Sequence, residues 1–333
     1  MTQFREIRLK RRPEGLPTAD DFETVDIEPP APASGEVQVR NLYMSVDPYM
    51  RARMVDRASY IPPYKIGEAL QGGAIGEVMA SNDPAFEPGD VVSSMFGWRE
   101  AFTAPASNVM KIDTLGIPLQ AFLGVMGMPG MTAWIGLNQI AQVKAGDVVF
   151  VSAASGAVGQ IVVQIAKLKG ATVVGSAGGA EKCAWVTEIG ADAVIDYKSV
   201  GDLNVALAKA APGGIDVYFD NVGGQHLVAA LNAARPFARF VLCGMIETLN
   251  DTAPRPGPGN LILVVVKRLR LEGFIVSDHY DHLPAFLAEM AAWVKGGKIR
   301  WKETIDVGIG AAPSAFLKLF SGENFGKMLV KLR

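Results

Sequence analysis

The sequence has 333 residues, of which 49% are hydrophobic and 20% are charged, a composition typical of a folded protein with an ample core. A chain of this length predicts two domains. The formal net charge of −2 provides no broad basic surface. It therefore argues against nucleic acid and anionic membranes as partners and favours a small-molecule ligand.

The N-terminal stretch "MTQFREIRLKRRPEG" is charged and lacks the apolar region of a secretion signal. The longest aliphatic run, residues 261–266, is much too short to span a membrane. Cys183 and Cys243 do not have the CxxC spacing of a zinc ribbon or a redox pair, so buried free thiols are expected. We therefore expect a cytoplasmic protein.

The pattern of strands and turns changes along the chain. Residues 36 to about 111 predict a barrel-like β domain with short strands and turns, in the runs "EVQVRNLYMSVD", "QGGAIGEVMA", "EPGDVVSSMFGW" and "AFTAPASNVMKI". From about residue 119, apolar strand-like runs alternate with helical stretches, which is typical of a parallel sheet covered on both faces. The tail returns to short strands around one amphipathic helix. The predicted fold class is α/β, with one domain of residues 1–122 and 300–333 and a doubly wound Rossmann domain of residues 123–299.

The segment "SAASGAVGQ", Ser152–Gln160, follows a predicted strand and opens a predicted helix, and a second strand comes after the helix. This context is that of a dinucleotide-binding loop. Gly156 would let the backbone approach a pyrophosphate, Gly159 would allow close packing of the helix on the sheet, and the helix N-terminus would offer N–H groups. Ala154 replaces the first glycine of the usual pattern, which predicts a different turn but not a lost site.

The choice of dinucleotide depends on the end of the second strand, where an NAD site has a carboxylate for the ribose 2′-hydroxyl. The sequence there is "VVGSAGGAEK", without an acid at the strand end, and Lys182 and Tyr197 could reach a 2′-phosphate. The alternative is that Lys182 belongs to an ordinary solvated helix face. The residues favour NADP(H) over NAD(H) as the cofactor.

Seven blocks carry a more specific signal, namely "MSVDPYMRARM", "AASGAVGQIVVQIAKLKG", "DNVGG", "LCGMI", "RPGPGNL", "LRLEGFIV" and "ENFGKMLV". In this order, over nearly the whole chain, they resemble the zinc-independent branch of the medium-chain dehydrogenase/reductase superfamily. That branch includes prostaglandin reductases (leukotriene B4 dehydrogenase-like), alkenal double-bond reductases and curcumin reductase.

The resemblance implies a GroES-like β-barrel domain, a Rossmann domain and NADPH bound in the cleft between them. It implies reduction of the carbon-carbon double bond of α,β-unsaturated aldehydes and ketones, by an enzyme that is usually a homodimer. The implied cofactor-binding residues are Ser155, Gly156, Ala157, Val158, Gly159, Lys182, Tyr197, Asn221, Cys243, Gly244, Met245, Phe274, Ile275, Val276 and Asn324.

The residues themselves argue against a zinc enzyme and predict no bound metal. A catalytic zinc needs about three cysteine, histidine or carboxylate ligands, and a structural zinc needs about four. His226, His279 and His282 have no ligand spacing to either cysteine and are expected to be ordinary surface or helix-flanking histidines. Ser155 lies in the phosphate loop and not in a GxSxG turn, so acyl transfer is not indicated either.

One position departs from the resemblance. Relatives usually have a tyrosine after the "CG" turn that is often proposed as a proton donor or cofactor contact, and Leu249 occupies the matching position here. The proton would then come from water, from the nicotinamide ribose hydroxyl, or from the barrel tyrosines Tyr49 or Tyr64, each of which could instead be a packing residue.

Two alternatives to the enone reductase stay open at this point: an NADPH quinone reductase of the same superfamily and a catalytically silent NADPH-binding sensor.

Overall fold

The computed structural model describes residues 3–332, which divide into two compact units. The first unit comprises the described residues up to Leu123, together with Glu303–Asn324 and those from Met328 onward. The second unit comprises Gly124–Lys302 and Phe325–Lys327. Within residues 3–332, no helix is long and apolar enough to cross a bilayer.

The first unit is built on antiparallel strands. A hairpin pairs β1 (Phe4–Leu9) with β2 (Phe22–Ile27). A seven-stranded sheet has the order β14-β15-β3-β4-β5-β7, with β6 paired to β3. Its strands are β3 (Glu36–Ser45), β4 (Ala74–Ser81), β5 (Val91–Ser94), β6 (Ala101–Pro105), β7 (Val109–Lys111), β14 (Glu303–Val307) and β15 (Lys327–Lys331). The unit also contains helices α1 (Tyr49–Arg53) and α9 (Ala312–Ser321).

Aromatic side chains fill the core of the first unit. Trp98 is fully buried, stacks on Phe22 at a centroid distance of 5.8 Å and meets Phe316 of α9 edge to face at 6.0 Å. Offset-stacked and edge-to-face rings are the arrangements that aromatic quadrupoles favour. This cluster explains why α9, which lies far along the chain, belongs to the same unit as the N-terminal hairpin.

The second unit is a six-stranded parallel sheet with the order β10-β9-β8-β11-β12-β13. Its strands are β8 (Val148–Val151), β9 (Thr172–Ala177), β10 (Ala193–Asp196), β11 (Ile215–Asp220), β12 (Ala234–Leu242) and β13 (Arg270–Gly273). Its helices are α2 (Met128–Ile135), α3 (Gly159–Leu168), α4 (Ala180–Glu188), α5 (Leu203–Ala210), α6 (Gly224–Ala233), α7 (Ile262–Val266) and α8 (Leu283–Lys295).

The chain order of the strands reverses between β8 and β11, which are paired neighbours in this sheet. In an open parallel sheet, the crevice beyond the carboxyl ends of the strands at such a switch point is where nucleotides bind. Val149, Phe150 and Val151 of β8 are all fully buried, as expected for a strand covered on both faces. The predicted α/β fold class, with a strand-rich domain and a doubly wound domain, is confirmed.

Candidate active site

The loop between β8 and α3 has the shape that its glycines require. A Cβ atom at Gly159 would overlap with the carbonyl oxygen of Ala153, so only glycine lets α3 begin this close to the loop. A Cβ atom at Gly156 would lie 3.1 Å from the carbonyl oxygen of Ala153. Apart from the chain neighbours of Gly156, no other heavy atom of the described residues would lie within 4 Å of it. The Gly156 position is therefore open enough for a ligand to approach the backbone.

Ala154 occupies the place of the missing first glycine and is fully buried. Its N–H donates to the carbonyl oxygen of Ser176 on β9 at 2.8 Å. The residue before it, Ala153, takes up the left-handed conformation at φ 48°. The loop is thus turned by Ala153 and anchored by Ala154. The N–H groups of Gln160, Ile161 and Val162 donate to the carbonyl oxygens of Gly156 and Val158, and the positive end of the α3 dipole lies at this loop.

The end of β9 carries no acid, because Gly178 and Gly179 follow Ala177 directly. Asp196, at the end of the neighbouring β10, accepts hydrogen bonds from the N–H groups of Gly179 at 2.9 Å and Lys198 at 3.1 Å. The hydrogen bond from Gly179 is the main cause of the lowered pKa of Asp196. This carboxylate therefore shapes the turn after β9.

Tyr197 and Lys198 meet at this turn, and Lys182 of α4 lies close enough for the charge of Lys198 to act on it. A Cβ atom at Gly178 would lie 2.9 Å from the hydroxyl oxygen of Tyr197 and 3.0 Å from Cε of Lys198. Burial, and after it the charge of Lys198, lower the pKa of Lys182 on α4. Two ammonium groups and a phenol in one place are suited to a phosphate, and Lys198 is a member that sequence reasoning missed, although it is the next residue after Tyr197.

At the switch point, the loops after β8 and β11 are tied together. Asn221 donates from its side chain to the carbonyl oxygen of Ser152 at 2.8 Å, and its N–H donates to the Ser152 Oγ at 2.9 Å. Asp220 is fully buried and accepts from the hydroxyl of Tyr218 at 2.7 Å and from the N–H of Gly223 at 2.8 Å. Burial raises the pKa of Asp220. These bonds give Asn221 a defined position beside the phosphate loop.

The turn after β12 lies at the same edge of the sheet. Cys243 and Gly244 donate their N–H groups to the carbonyl oxygen of Asp220, each at 3.0 Å. Cys243 is half-buried, and burial raises the pKa of its thiol to about 12, so it is not a nucleophile at neutral pH. Met245 is 38% exposed and packs against Gly223, where a Cβ atom would lie 3.0 Å from its Cγ.

The segment Phe274–Val276 follows β13, which pairs in parallel with β12 so that Gly273 lies opposite Leu242. Phe274, Ile275 and Val276 therefore leave the sheet beside the turn that carries Cys243, Gly244 and Met245. The ring of Phe274 contacts that of His279 at a centroid distance of 6.2 Å.

The segment Phe325–Lys327 also contacts the phosphate loop. Gly326 donates its N–H to the carbonyl oxygen of Ser155 at 3.1 Å and forms a β-bridge with Gly156. A Cβ atom at Gly326, where φ is +67°, would overlap with the carbonyl oxygen of Lys302. Asn324 comes two residues earlier in the chain, in the first unit.

Sequence reasoning also missed Gln160, which binds Lys302, the residue whose carbonyl oxygen also accepts from the N–H of Lys327 at 3.0 Å. The Gln160 side chain accepts from the N–H of Lys302 at 2.9 Å and donates to the carbonyl oxygen of the same residue at 3.1 Å. The Lys302 ammonium lies over the rings of Phe325 and Trp185, at 4.4 and 4.9 Å from their centroids. No short motif signals contacts between residues this far apart in sequence.

Both candidate proton donors lie in the first unit. Tyr64 is 4% exposed, and its hydroxyl donates to the carbonyl oxygen of Gln71 at 2.5 Å. The guanidinium of Arg53 lies 4.1 Å from the centre of its ring. Burial raises the pKa of Tyr64 and, together with the charge of Asp47, the pKa of the half-buried Tyr49. Both phenols therefore stay protonated at neutral pH, and the Tyr64 hydroxyl already has an acceptor.

Leu249 follows a short 3₁₀ turn, Ile246–Thr248, and offers no proton. In its vicinity, Arg255 forms ion pairs with Glu247 at 2.9 Å and with Asp251 at 2.6 Å. Across the part of the chain that the structure describes, no group of three or more histidine, cysteine, aspartate or glutamate side chains could hold a metal ion.

Comparisons with known proteins place the chain in a family. A family model described as the N-terminal domain of oxidoreductase matches residues 5–112, and one described as zinc-binding dehydrogenase matches residues 157–292. The NADPH-dependent curcumin reductase of Escherichia coli is 42% identical over 97% of this chain and 95% of its own length. The NADP-dependent 2-alkenal reductase of Nicotiana tabacum is 41% identical over 98% of this chain and 96% of its own length.

A solved structure of CurA from Vibrio vulnificus in complex with NADPH has a TM-score of 0.94 and 41% sequence identity, and the match covers 99% of each chain. The similarity extends over both units, and the family predicted from the seven sequence blocks is confirmed. The chain is an oxidoreductase of the medium-chain dehydrogenase/reductase superfamily and belongs to its branch of curcumin, alkenal and prostaglandin reductases.

Proposed function

We propose that this protein is an NADPH-dependent reductase of the carbon-carbon double bond in α,β-unsaturated ketones and aldehydes. The observation that carries the NADPH dependence is the group of Lys182, Tyr197 and Lys198 at a strand end without an acid. The names of its relatives, which include an NADPH-dependent curcumin reductase and an NADP-dependent 2-alkenal reductase, support the same chemistry.

The residues at the switch point fit an NADP(H) dinucleotide. The open face of Gly156 and the N-terminus of α3 suit a pyrophosphate, and the two lysines suit a 2′-phosphate. The proposed contacts are Ser155, Gly156, Ala157, Val158, Gly159, Lys182, Tyr197, Asn221, Cys243, Gly244, Met245, Phe274, Ile275, Val276 and Asn324. Bound NADPH would supply a hydride for the β-carbon of the substrate.

The chain itself has two tasks in this reaction. It must hold the nucleotide in one orientation. The hydrogen bonds of Asn221 to Ser152 and those of the buried Asp220 carboxylate favour this, because they fix the loops of the switch point. It must also allow a proton to reach the α-carbon. Since Leu249 cannot donate and the Tyr64 hydroxyl is bonded to Gln71, we propose Tyr49 as the first side chain to test.

We further propose that residues 1–122 and 300–333 form the substrate-binding domain and residues 123–299 the nucleotide-binding domain of a cytoplasmic homodimer. In support of a dimer, β13 is one of the two edge strands of the parallel sheet as the structure describes it. The apolar residues Ile262 and Val265 of α7, the helix that precedes β13 in the chain, are 65% and 71% exposed. Apolar residues beside an open sheet edge are typical of a self-association surface.

The experiment compares two cofactors and two acceptors. NADPH or NADH is mixed with the protein and either an enone, such as 4-phenyl-3-buten-2-one, or a quinone, and nicotinamide absorbance is followed. We expect oxidation of NADPH with the enone and little with NADH. Turnover with the quinone alone would make the protein a quinone reductase, and tight NADPH binding without turnover of either acceptor would make it a sensor.

A further inference from the structure

His226 is a buried side chain of the second unit that has no part in the proposed cofactor contacts. It lies on α6, is 5% exposed, and places its Nε2 2.9 Å from the Oγ of Ser176, a fully buried residue of β9. Its Nδ1 is also buried and has no hydrogen-bond partner among the residues that the structure describes. A leucine or phenylalanine at this position would avoid the energetic cost of burying an unpaired polar atom, which favours a specific role for the imidazole.

The ring of His226 is fixed on one side by the sheet. It stacks on Phe150 of β8 at a centroid distance of 6.4 Å and an interplanar angle of 14°. It also meets the ring of Tyr197 edge to face, at 5.4 Å and 76°. The latter is a favoured aromatic geometry, and it sets the tilt of the tyrosine ring.

The backbone of Gly178 borders Tyr197 from a second direction. A Cβ atom there would lie 2.9 Å from both the Cζ and the hydroxyl oxygen of Tyr197. The tyrosine is nevertheless 40% exposed, so part of this residue faces solvent. Gly178 and the imidazole of His226 therefore define where this hydroxyl points.

We propose that His226 is a positioning residue that determines the preference for a 2′-phosphorylated nucleotide by fixing the hydroxyl of Tyr197 beside Lys182 and Lys198. This inference rests on the proposed function, because it takes NADPH as the ligand. The imidazole acts through the tyrosine ring and does not itself touch the phosphate.

The test measures binding of 2′,5′-ADP and 5′-ADP by calorimetry, since this pair of ligands isolates the 2′-phosphate from the chemistry. His226→Leu removes the ring that orients Tyr197. We expect the dissociation constant of 2′,5′-ADP to rise about five-fold or more, because part of a charge-assisted hydrogen bond is lost. The constant for 5′-ADP should stay within about two-fold of the parent value.

Two further variants decide whether the effect passes through Tyr197. His226→Phe keeps an aromatic ring at the same place and should retain most of the preference. In a Tyr197→Phe background, His226→Leu should cause no additional loss. An equal loss for both ligands, a phenylalanine variant as weak as the leucine variant, or an undiminished loss without the Tyr197 hydroxyl would each overturn the proposal.

His282→Leu serves as the matched control, because this histidine packs near Trp134 at 6.0 Å and not near Tyr197. It should leave both dissociation constants unchanged, and thermal melts establish that each variant is folded. If the parent protein binds neither NADPH nor 2′,5′-ADP, the proposed function fails. If the parent prefers 2′,5′-ADP and His226→Leu keeps that preference, only the positioning role fails.

Discussion

Replacing Lys182 by alanine should weaken NADPH binding selectively. The Lys182 ammonium lies in the group that also contains Tyr197 and Lys198, and a charge-assisted hydrogen bond to phosphate contributes about 1.5 to 3 kcal/mol. This energy corresponds to a roughly 10- to 150-fold rise in the dissociation constant. NADH has no 2′-phosphate, so its affinity should change less than about two-fold.

The assay is a fluorescence titration of the reduced cofactor at two salt concentrations. The loss on Lys182→Ala should be larger at low salt, because screening weakens the interaction that is removed. Lys209→Ala is the matched control, since this exposed lysine is in the last turn of α5 and away from the turn after β9. Equal losses for NADPH and NADH, or a similar loss in the Lys209 variant, would refute the assignment of this group to the 2′-phosphate.

Three further outcomes are expected. Prolonged EDTA treatment should leave turnover unchanged and elemental analysis should find no stoichiometric zinc; activity that vanishes with chelator and returns with zinc would contradict this. If Tyr49 donates the α-proton, Tyr49→Phe should lower kcat by about 10²- to 10⁴-fold and change the solvent isotope effect. Tyr64→Phe should lower kcat less. Adding Leu249→Tyr to the Tyr49→Phe variant should restore turnover. Parent-like rates in all of these variants would point to water or the ribose hydroxyl. Finally, burial lowers the pKa of His226 from 6.5 to about 4, so the unfolded state binds more protons between these values and stability should fall by about 3 kcal/mol as the pH drops through this window. His226→Phe should flatten the corresponding part of a denaturation profile, and an unchanged slope would show that another group is responsible.

Features formed by residues that are adjacent in the sequence, such as the phosphate loop and the strand end without an acid, could be predicted from the sequence. The strand before Ser152 and the helix that opens at Gly159 are adjacent in sequence, so the phosphate loop was recognisable from spacing alone. The acid-free end of β9 was equally visible, since the glycines follow the strand directly. Seven ordered blocks then identified the family, because they extend over both units.

Long-range contacts were not predictable in this way. Gln160 binds the backbone of Lys302, and Gly326 bonds to Ser155, across gaps that carry no periodic signal. His226 was expected to be an ordinary surface or helix-flanking residue, yet it is buried under Tyr197. Its burial follows from the packing of α6 on the sheet, which the sequence of the helix alone does not reveal.

The position of a deuterium label in the product distinguishes reduction of the double bond from reduction of the carbonyl group. The protein is incubated with NADPH that carries deuterium at the transferable C4 position and with 4-phenyl-3-buten-2-one, and the product is analysed by NMR. We expect a saturated ketone with one deuterium at the β-carbon and a solvent proton at the α-carbon. An allylic alcohol with deuterium at the carbinol carbon, or no saturated product despite tight NADPH binding, would contradict it.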